Sequence, residues 1–508
     1  MKEVLAYNIK ERCDRSMKNY NIVWFCCDQL RNDTISGNGN SHIHTPNIDR
    51  LMATGTTFER AYAQNPICTP SRAAFLTGRY PRSCRSSING NTIFSKDETL
   101  VTKLLRDSGY VCGLSGKLHL TAMSARDHQE IRTDDGYSYF QWADTGMDTH
   151  DPGVNNYIDW LREQGVEWKE VYEAPVMGYW PPKGDYPIPS RIKGMPNELH
   201  QTTWCVEKAM EFMEQSIRED QDRPWCISIN PFAPHPPFDP PQEFRNRLKA
   251  EDMPLPLWKE GELDNKPAFQ KESYLHGSQS RMLVPGVSVT DDQKRENTLE
   301  YYALIEHLDY QLGRLIDYIE ESGQREKTII VFMSDHGENL GDHGMYWKGG
   351  MFYECNVHVP LVFSCPGLIK EGLRSSALVE LMDVAPTLLE LNGLEIPHYM
   401  QAKSLAGILL GKADPSRHKD AVYSEYYCSA LASNRVFATM YFDGRYKMIV
   451  HHDDPVSEFY DLQEDPCEFD NLWGKPEYKE LVFEYYQKCF NHSILINIDT
   501  VLGKQAVY

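Results

Sequence analysis

At 508 residues the chain is too long for one small core, and it predicts a large domain with a smaller companion. Its formal net charge of -21 excludes loose electrostatic attachment to nucleic acid or to anionic membranes, so an anionic ligand would have to meet a local cluster of cations. The 13 cysteines, odd in number, irregularly spaced and without a C-x-x-C pair, read as reduced thiols and not as a disulfide framework.

Residues 1–20 mix charges throughout and contain no apolar run of the kind a secretory leader needs; no later stretch is long and apolar enough to span a bilayer. A cytoplasmic protein is the expectation, with residues 1–20 as an N-terminal extension. Asn21-Ile-Val-Trp-Phe-Cys-Cys27 then forms a short apolar run ending at Asp28, the pattern of a buried strand with a polar residue at its tip. Val111 to Ser115 and Trp225 to Asn230 repeat the pattern weakly, Thr328 to Ser334 repeats it strongly before Asp335, and Pro360 to Cys365 is a further weak candidate. From about Asn297 to Ser322, Tyr301, Leu304, Ile305, Leu308, Leu312, Leu315, Ile316 and Ile319 form an apolar stripe at helical spacing, predicting a helix packed on the core. Strands alternating with helices predict an α/β fold with a large, mostly parallel central sheet flanked by helices, whose ligands gather at the strands' carboxyl ends, where Asp28 and Asp335 lie. The Pro-rich stretch from Ala174 to Pro196 and the charged one from Pro234 to Pro285 read as insertions that shape a mouth over the sheet. Past about Leu410 the pattern changes. Tyr441 to Val450 and Glu458 to Leu462 read as antiparallel strands, so the expected division is a main domain over 21–410 and a smaller α+β subdomain over 411–508.

The most specific motif is Cys68-Thr-Pro-Ser-Arg72 followed by Ala73-Ala-Phe-Leu-Thr-Gly-Arg79. It resembles the signature of the sulfatase family, within the alkaline phosphatase superfamily, that maturation enzymes read when they oxidise the cysteine to formylglycine. Other segments match the family in the expected order: Asp28-Gln-Leu-Arg-Asn-Asp33, His44-Thr-Pro-Asn-Ile-Asp49, Gly116-Lys-Leu-His119, Pro234-His-Pro-Pro-Phe238, Ser334-Asp-His-Gly-Glu338, Lys348 before Tyr353-Glu354, and Phe459 to Glu468 with Asn471-Leu472. The resemblance thus runs from about Asn21 almost to the end. It implies a formylglycine-generating maturation enzyme as a partner and an aldehyde hydrate at residue 68, whose two hydroxyls on one carbon split a hard hydrolysis into two easier steps. A thiolate nucleophile is the alternative for an unconverted Cys68, since a neighbouring Arg lowers a thiol pKa.

Carboxylates at two strand ends can converge on one divalent cation, and hard oxygen ligands favour calcium, magnesium or manganese. The resemblance assigns Asp28, Asp335, His336 and an oxygen of the modified Cys68 as ligands, with Gln29 a further candidate. Many sulfatases carry two adjacent Asp residues where this chain has Cys27-Asp28, and Asn where it has His336. Calcium is the first expectation and manganese the alternative. By the same resemblance Arg72 and Lys117 hold the hydrated aldehyde and neutralise developing charge. His119 bonds the second hydroxyl and serves as base when the sulfated group collapses. His235 and Lys348 bind sulfate oxygens, with His235 protonating the departing alcohol. His343, in Gly341-Asp-His-Gly344, reads as a turn residue that could touch substrate, and Arg435, His451 and His452 as further candidates for substrate contacts.

The expected activity is sulfate ester hydrolysis, on a small sulfated substrate such as a carbohydrate fragment if the location is cytoplasmic. Asp28-Gln29 with Asp335-His336 also resembles the superfamily's phosphonate monoester and phosphodiester hydrolases, which use the same formylglycine. A sulfate monoester and a phosphodiester each carry one negative charge, whereas a phosphate monoester carries up to two and would require a further cation. A non-catalytic binding protein on the same scaffold would have lost its nucleophile or a metal ligand, and neither is lost here.

Overall fold

A computed structural model describes residues 19–122, 129–144, 153–167, 195–277, 285–429 and 436–496. The N-terminal extension before 19, most of the Pro-rich insertion and Arg435 lie outside the described residues. Nine strands form the large sheet: β1 (Asn21–Cys27), β2 (Thr56–Tyr62), β3 (Val111–Gly116), β4 (Tyr139–Trp142), β5 (Trp225–Asn230), β6 (Thr328–Ser334), β7 (His358–Val359), β8 (Leu361–Ser364) and β9 (Leu373–Glu380). Their order is β4-β3-β5-β1-β6-β8-β2-β7, with β9 beside β2. From β4 to β6 every neighbour is parallel.

The strands β1 and β6 are wholly buried because every residue but Asn21 is apolar or small, as strands covered on both faces require. Their register sets Cys27 opposite Ser334, so Asp28 and Asp335 leave the sheet side by side, and the Asp335 amide donates to the Cys27 carbonyl at 3.2 Å. Successive β1 side chains face opposite layers. Val23 and Phe25 pack with Trp204 and Phe212 of a helix and with Leu304, Leu308 and Leu312 of the long one; Ile22 and Trp24 pack with Phe75 and Leu76 on the other face. Each such side chain contributes roughly 1.5–3 kcal/mol of burial.

Five helices matter here: α1 (Pro46–Ala53), α2 (Cys68–Thr77), α3 (Gln201–Glu219), α4 (Asp291–Glu321) and α5 (Lys479–Leu495). The stripe read from Asn297 lies on α4, which begins six residues earlier because Thr290 and Gln293 form a reciprocal capping box. The Asp309 carboxylate on α4 accepts the amides of Asn47 at 3.0 Å and Ile48 at 2.7 Å. It thereby caps α1, and the Thr-Pro-Asn-Ile-Asp segment is a docking point for that helix. One strand departs from expectation. Leu361–Ser364 runs antiparallel to β6, because the segment joining them crosses the carboxyl ends of the sheet and turns back without a crossover helix.

A separate antiparallel sheet follows, in the order β10 (Val422–Tyr427), β11 (Phe437–Phe442), β12 (Tyr446–His452), β13 (Glu458–Asp461), with α5 packed on it through Tyr485 and Cys489. The run read from Tyr441 to Val450 is the hairpin β11–β12, turning at Gly444 with φ 98°. This sheet is fastened to the rest by two buried lysines: Lys447 Nζ reaches Glu354 at 2.6 Å and Glu468 at 2.8 Å, and Lys266 from the charged insertion donates to the Tyr460 hydroxyl at 2.5 Å.

Candidate active site

Cys68 is the first residue of α2, and all ten residues of that helix are buried. The helix N-terminus points its positive end at whatever charge develops on residue 68. Around the Cys68 Sγ stand Lys348 Nζ at 2.9 Å, His336 Nε2 at 3.1 Å, Lys117 Nζ at 3.6 Å and Asp28 Oδ1 at 3.6 Å. Burial and Asp28 push the thiol up, but Lys117, Lys348 and His336 together outweigh them and hold it down to about 5.

The carboxyl ends of four parallel strands, β1, β3, β5 and β6, supply most of the frame. Lys117, just after β3, donates to Asp28 Oδ2 at 2.5 Å, and its carbonyl is held by Arg72 Nη1 at 2.9 Å and Asn230 Nδ2 at 2.7 Å. Arg72 Nε donates to Asp335 Oδ2 at 2.9 Å, while the Ser71 hydroxyl donates to the Asp335 carbonyl at 2.5 Å. The segment between β6 and β8 carries Lys348, which is anchored by the Gln29 carboxamide oxygen at 2.8 Å. The Gln29 amide nitrogen donates to Glu338. Its carboxamide is therefore engaged by Lys348 and Glu338, and it serves as an anchor for the lysine.

Asp28, Cys68, Asp335 and His336 each offer one ligand atom, all within 4.8 Å of one another and all buried. Burial would raise the Asp28 carboxyl, but Lys117, His235, Lys348 and Arg72 hold it well below the usual carboxylate range, whereas burial and Asp28 itself raise Asp335. The His336 Nδ1–H donates to the Gly337 carbonyl at 2.8 Å, which leaves the Nε2 lone pair facing the cluster, the arrangement of a metal-binding imidazole. Two adjacent carboxylates, an oriented imidazole and residue 68 fit a divalent cation.

The two remaining histidines lie beside this cluster. His235 follows the bridge between Asp28 and Pro234, lies against Phe232 with ring centroids 4.4 Å apart and planes tilted by 40°, and donates from Nδ1 to the Pro236 carbonyl at 2.6 Å, so Nε2 is its free atom. Burial and Lys348 hold it well below the ordinary histidine value. His119 has left-handed backbone, φ 56°, and its amide donates to Glu130 Oε2 at 2.6 Å. Glu130 also accepts from the amides of Leu120 and Thr121 and from the Trp142 indole, so one buried carboxylate fixes the whole loop. Burial, Lys117 and Arg72 push His119 down to about 3.

The structure thus brings together Asp28, Cys68, Arg72, Lys117, Asp335, His336 and Lys348, with His119 and His235 alongside. His343 lies apart from them: it pairs with Glu262 at 2.6 Å and stacks on Tyr353 at 3.8 Å. His451 is bound to Glu458 at 2.8 Å, and His452 is exposed against Tyr427. Glu130, Asp144 and Asn230 were not read as site residues; they stand in no motif, and only the pairing of β3 with β4 and β5 brings them beside Lys117 and His119.

Comparison with known proteins adds an independent line. The sequence model of the sulfatase family matches residues 20–394, and that of the N-sulphoglucosamine sulphohydrolase C-terminal region matches 341–493. The chain is 30% identical over 475 residues to an arylsulfatase of Clostridium perfringens, covering 92% of this chain and 93% of the relative. It is 29% identical to an N-acetylglucosamine-6-O-sulfatase of Bacteroides thetaiotaomicron, covering 96% and 89%. A phosphonate monoester hydrolase from Silicibacter pomeroyi has the same fold, with a TM-score of 0.81, 24% identity, and coverage of 96% of this chain and 98% of that one.

Proposed function

This chain belongs to the sulfatase family, and from that premise we propose that it hydrolyses a sulfate ester through residue 68 in its formylglycine form. The observation that carries the reading is the convergence of Asp28, Asp335, His336, Lys117 and Lys348 on Cys68 at the N-terminus of α2, with Arg72 paired to Asp335 behind them. Asp28, Asp335, His336 and an oxygen on residue 68 would hold one divalent ion, which when bound supplies positive charge that acidifies that oxygen and offsets the charge of the sulfate. Two carboxylates and an oxygen favour calcium, and the imidazole leaves manganese as the alternative.

The chain's own groups account for the remainder. Lys117 and Arg72 orient residue 68 and stabilise negative charge that builds as one of its hydroxyls attacks sulfur in line. Lys348 binds sulfate oxygens beside it. His235, fixed through Nδ1 to a carbonyl, presents Nε2–H to the departing alcohol; the incoming anion offsets Lys348 and favours the protonated imidazole. His119 then takes the proton of the second hydroxyl as the carbonyl re-forms and sulfate leaves. A small sulfated carbohydrate is the substrate class suggested by the N-acetylglucosamine-6-O-sulfatase relative.

A second reading keeps the site and changes the ester. The fold shared with a phosphonate monoester hydrolase and the Asp28-Gln29 and Asp335-His336 pairs favour testing phosphonate monoesters and phosphodiesters alongside. The deciding measurement is the mass of the Cys68 peptide together with initial rates on matched aryl sulfate, phosphonate and phosphodiester substrates. Aldehyde with the highest rate on sulfate is the expected result. Aldehyde with a phosphorus ester dominant would move the activity to the second reading.

A further inference from the structure

Asp144 lies two residues beyond the end of the edge strand β4, held there because the Ala143 amide donates to the Gly116 carbonyl at 3.1 Å. It is 2% exposed, and both of its carboxylate oxygens are buried without a hydrogen-bond partner. The nearest cation, Lys117 Nζ, stands 3.8 Å away and already donates to Asp28. An ionised carboxylate buried without a donor is costly, so such a group persists where something else requires it. Two residues along the chain from Lys117, the His119 Nδ1 is likewise buried and unpartnered. The two orphans are complementary: an imidazole carrying its proton on Nδ1 is a donor, and the carboxylate is an acceptor. The charge of Asp144 acts on the His119 ring in the direction opposite to Lys117 and Arg72. The two side chains are not bonded to each other in this structure, but both stand on fixed backbone, His119 through Glu130 and Asp144 through the Ala143 amide beside β3, so a turn of the side chains is all the pairing requires.

We propose that Asp144 is the positioning residue of His119: it accepts the Nδ1–H, turns the Nε2 lone pair toward residue 68, and serves as counter-charge to the imidazolium. This rests on the role given to His119 above. In the second half of the reaction the free hydroxyl of residue 68 passes its proton to His119 Nε2. The electrons of that O–H bond form the carbonyl, the bond from the same carbon to the sulfate oxygen breaks, and sulfate leaves with that electron pair. The first half, in which the alcohol departs, does not use Asp144.

The test uses the full-length, converted, metal-loaded enzyme with 4-nitrophenyl sulfate, comparing D144N, D144S, D144E and H119A by steady-state rates, by the burst of nitrophenol, and by the mass of the residue-68 peptide after acid quench. Melting temperatures confirm folding, and the smaller D144S stands in if the isosteric D144N is unstable. The expected result is a fall in kcat of about 100-fold in D144N, a preserved burst, and accumulation of the sulfated residue-68 peptide, with D144E recovering part of the rate. Accumulation in H119A but not in D144N or D144S would overturn the pairing. A rise in KM for one alcohol without the sulfated peptide would make Asp144 a substrate contact and overturn it equally. Absence of the sulfated peptide in H119A itself would refute the assigned role of His119, a separate failure.

Discussion

Under the four-stranded sheet, Lys447 is wholly buried between two carboxylates at 2.6 and 2.8 Å, while at the carboxyl end of the large sheet the Asp144 carboxylate and the His119 Nδ1 are buried nearly as deeply without a hydrogen-bond partner. Both regions remove charge from water. The first closes every charge on another, and its geometry is self-sufficient. The second leaves lone pairs and protons unspoken for, crowds two lysines around one residue, and sets Gln29 and His119 in left-handed backbone. A buried charge that is fully paired speaks to assembly; one left incomplete speaks to chemistry.

The comparison breaks first at residue 68. C68A should lose activity by about 10⁴-fold or more on an aryl sulfate while the melting temperature holds; comparable turnover in the variant would remove the nucleophile from the mechanism. A paired experiment on two buried lysines sharpens it. K447A should cost about 3–5 kcal/mol of stability by denaturant unfolding, because the buried Glu468 and the partly exposed Glu354 lose their cation, with kcat/KM of the folded fraction nearly unchanged. K117A should lower kcat by about 10²–10³-fold and change stability by less than about 1 kcal/mol, since Arg72 and Lys348 remain near Asp28. If both variants fail in the same way, the two regions do not differ as described.

Acid separates them next. Burial alone would raise Glu458, but His451, Lys266 and Tyr460 hold it at about 2 against an ordinary 4.5. Its folded value is depressed, so its contribution is present above about 4.5 and is lost as pH falls toward about 2; it amounts to about 3 kcal/mol. Urea unfolding at pH 3 and pH 6 should show more than half of that loss, and E458Q should flatten it. The smallest effect belongs to Glu130. E130Q keeps the shape but weakens acceptance from three backbone amides, and kcat should fall by about tenfold with KM little changed. A KM effect alone would mean that the His119 loop is placed by other contacts.

The chemistry of the site was legible because it sits on strand ends and in contiguous motifs. The apolar runs before Asp28 and Asp335 marked two central strands, and their parallel register then placed the two carboxylates together. Legibility failed where function depends on contacts between distant, motif-free positions. Glu130 and Asp144 occupy irregular segments whose neighbours are set by the edge of the sheet, and no local pattern announces a carboxylate that binds backbone amides ten residues away. Asp309 was passed over because it lies among the apolar residues of a helix read only for core packing, although it caps α1. The strand Thr56–Tyr62 places Glu59 and Arg60 inside an otherwise buried run, which hides its period.

The helix α2 has a consequence in time. Every residue from Cys68 to Thr77 is enclosed once the large sheet and the helix have closed on each other. On the reading proposed above, a modifying enzyme can reach this segment only while the chain is still open, so conversion races against folding and cannot be repaired afterwards. The active fraction of any preparation is then a record of that race, fixed at synthesis. Slowing production relative to the modifying enzyme should raise it, and incubating folded protein with that enzyme should not.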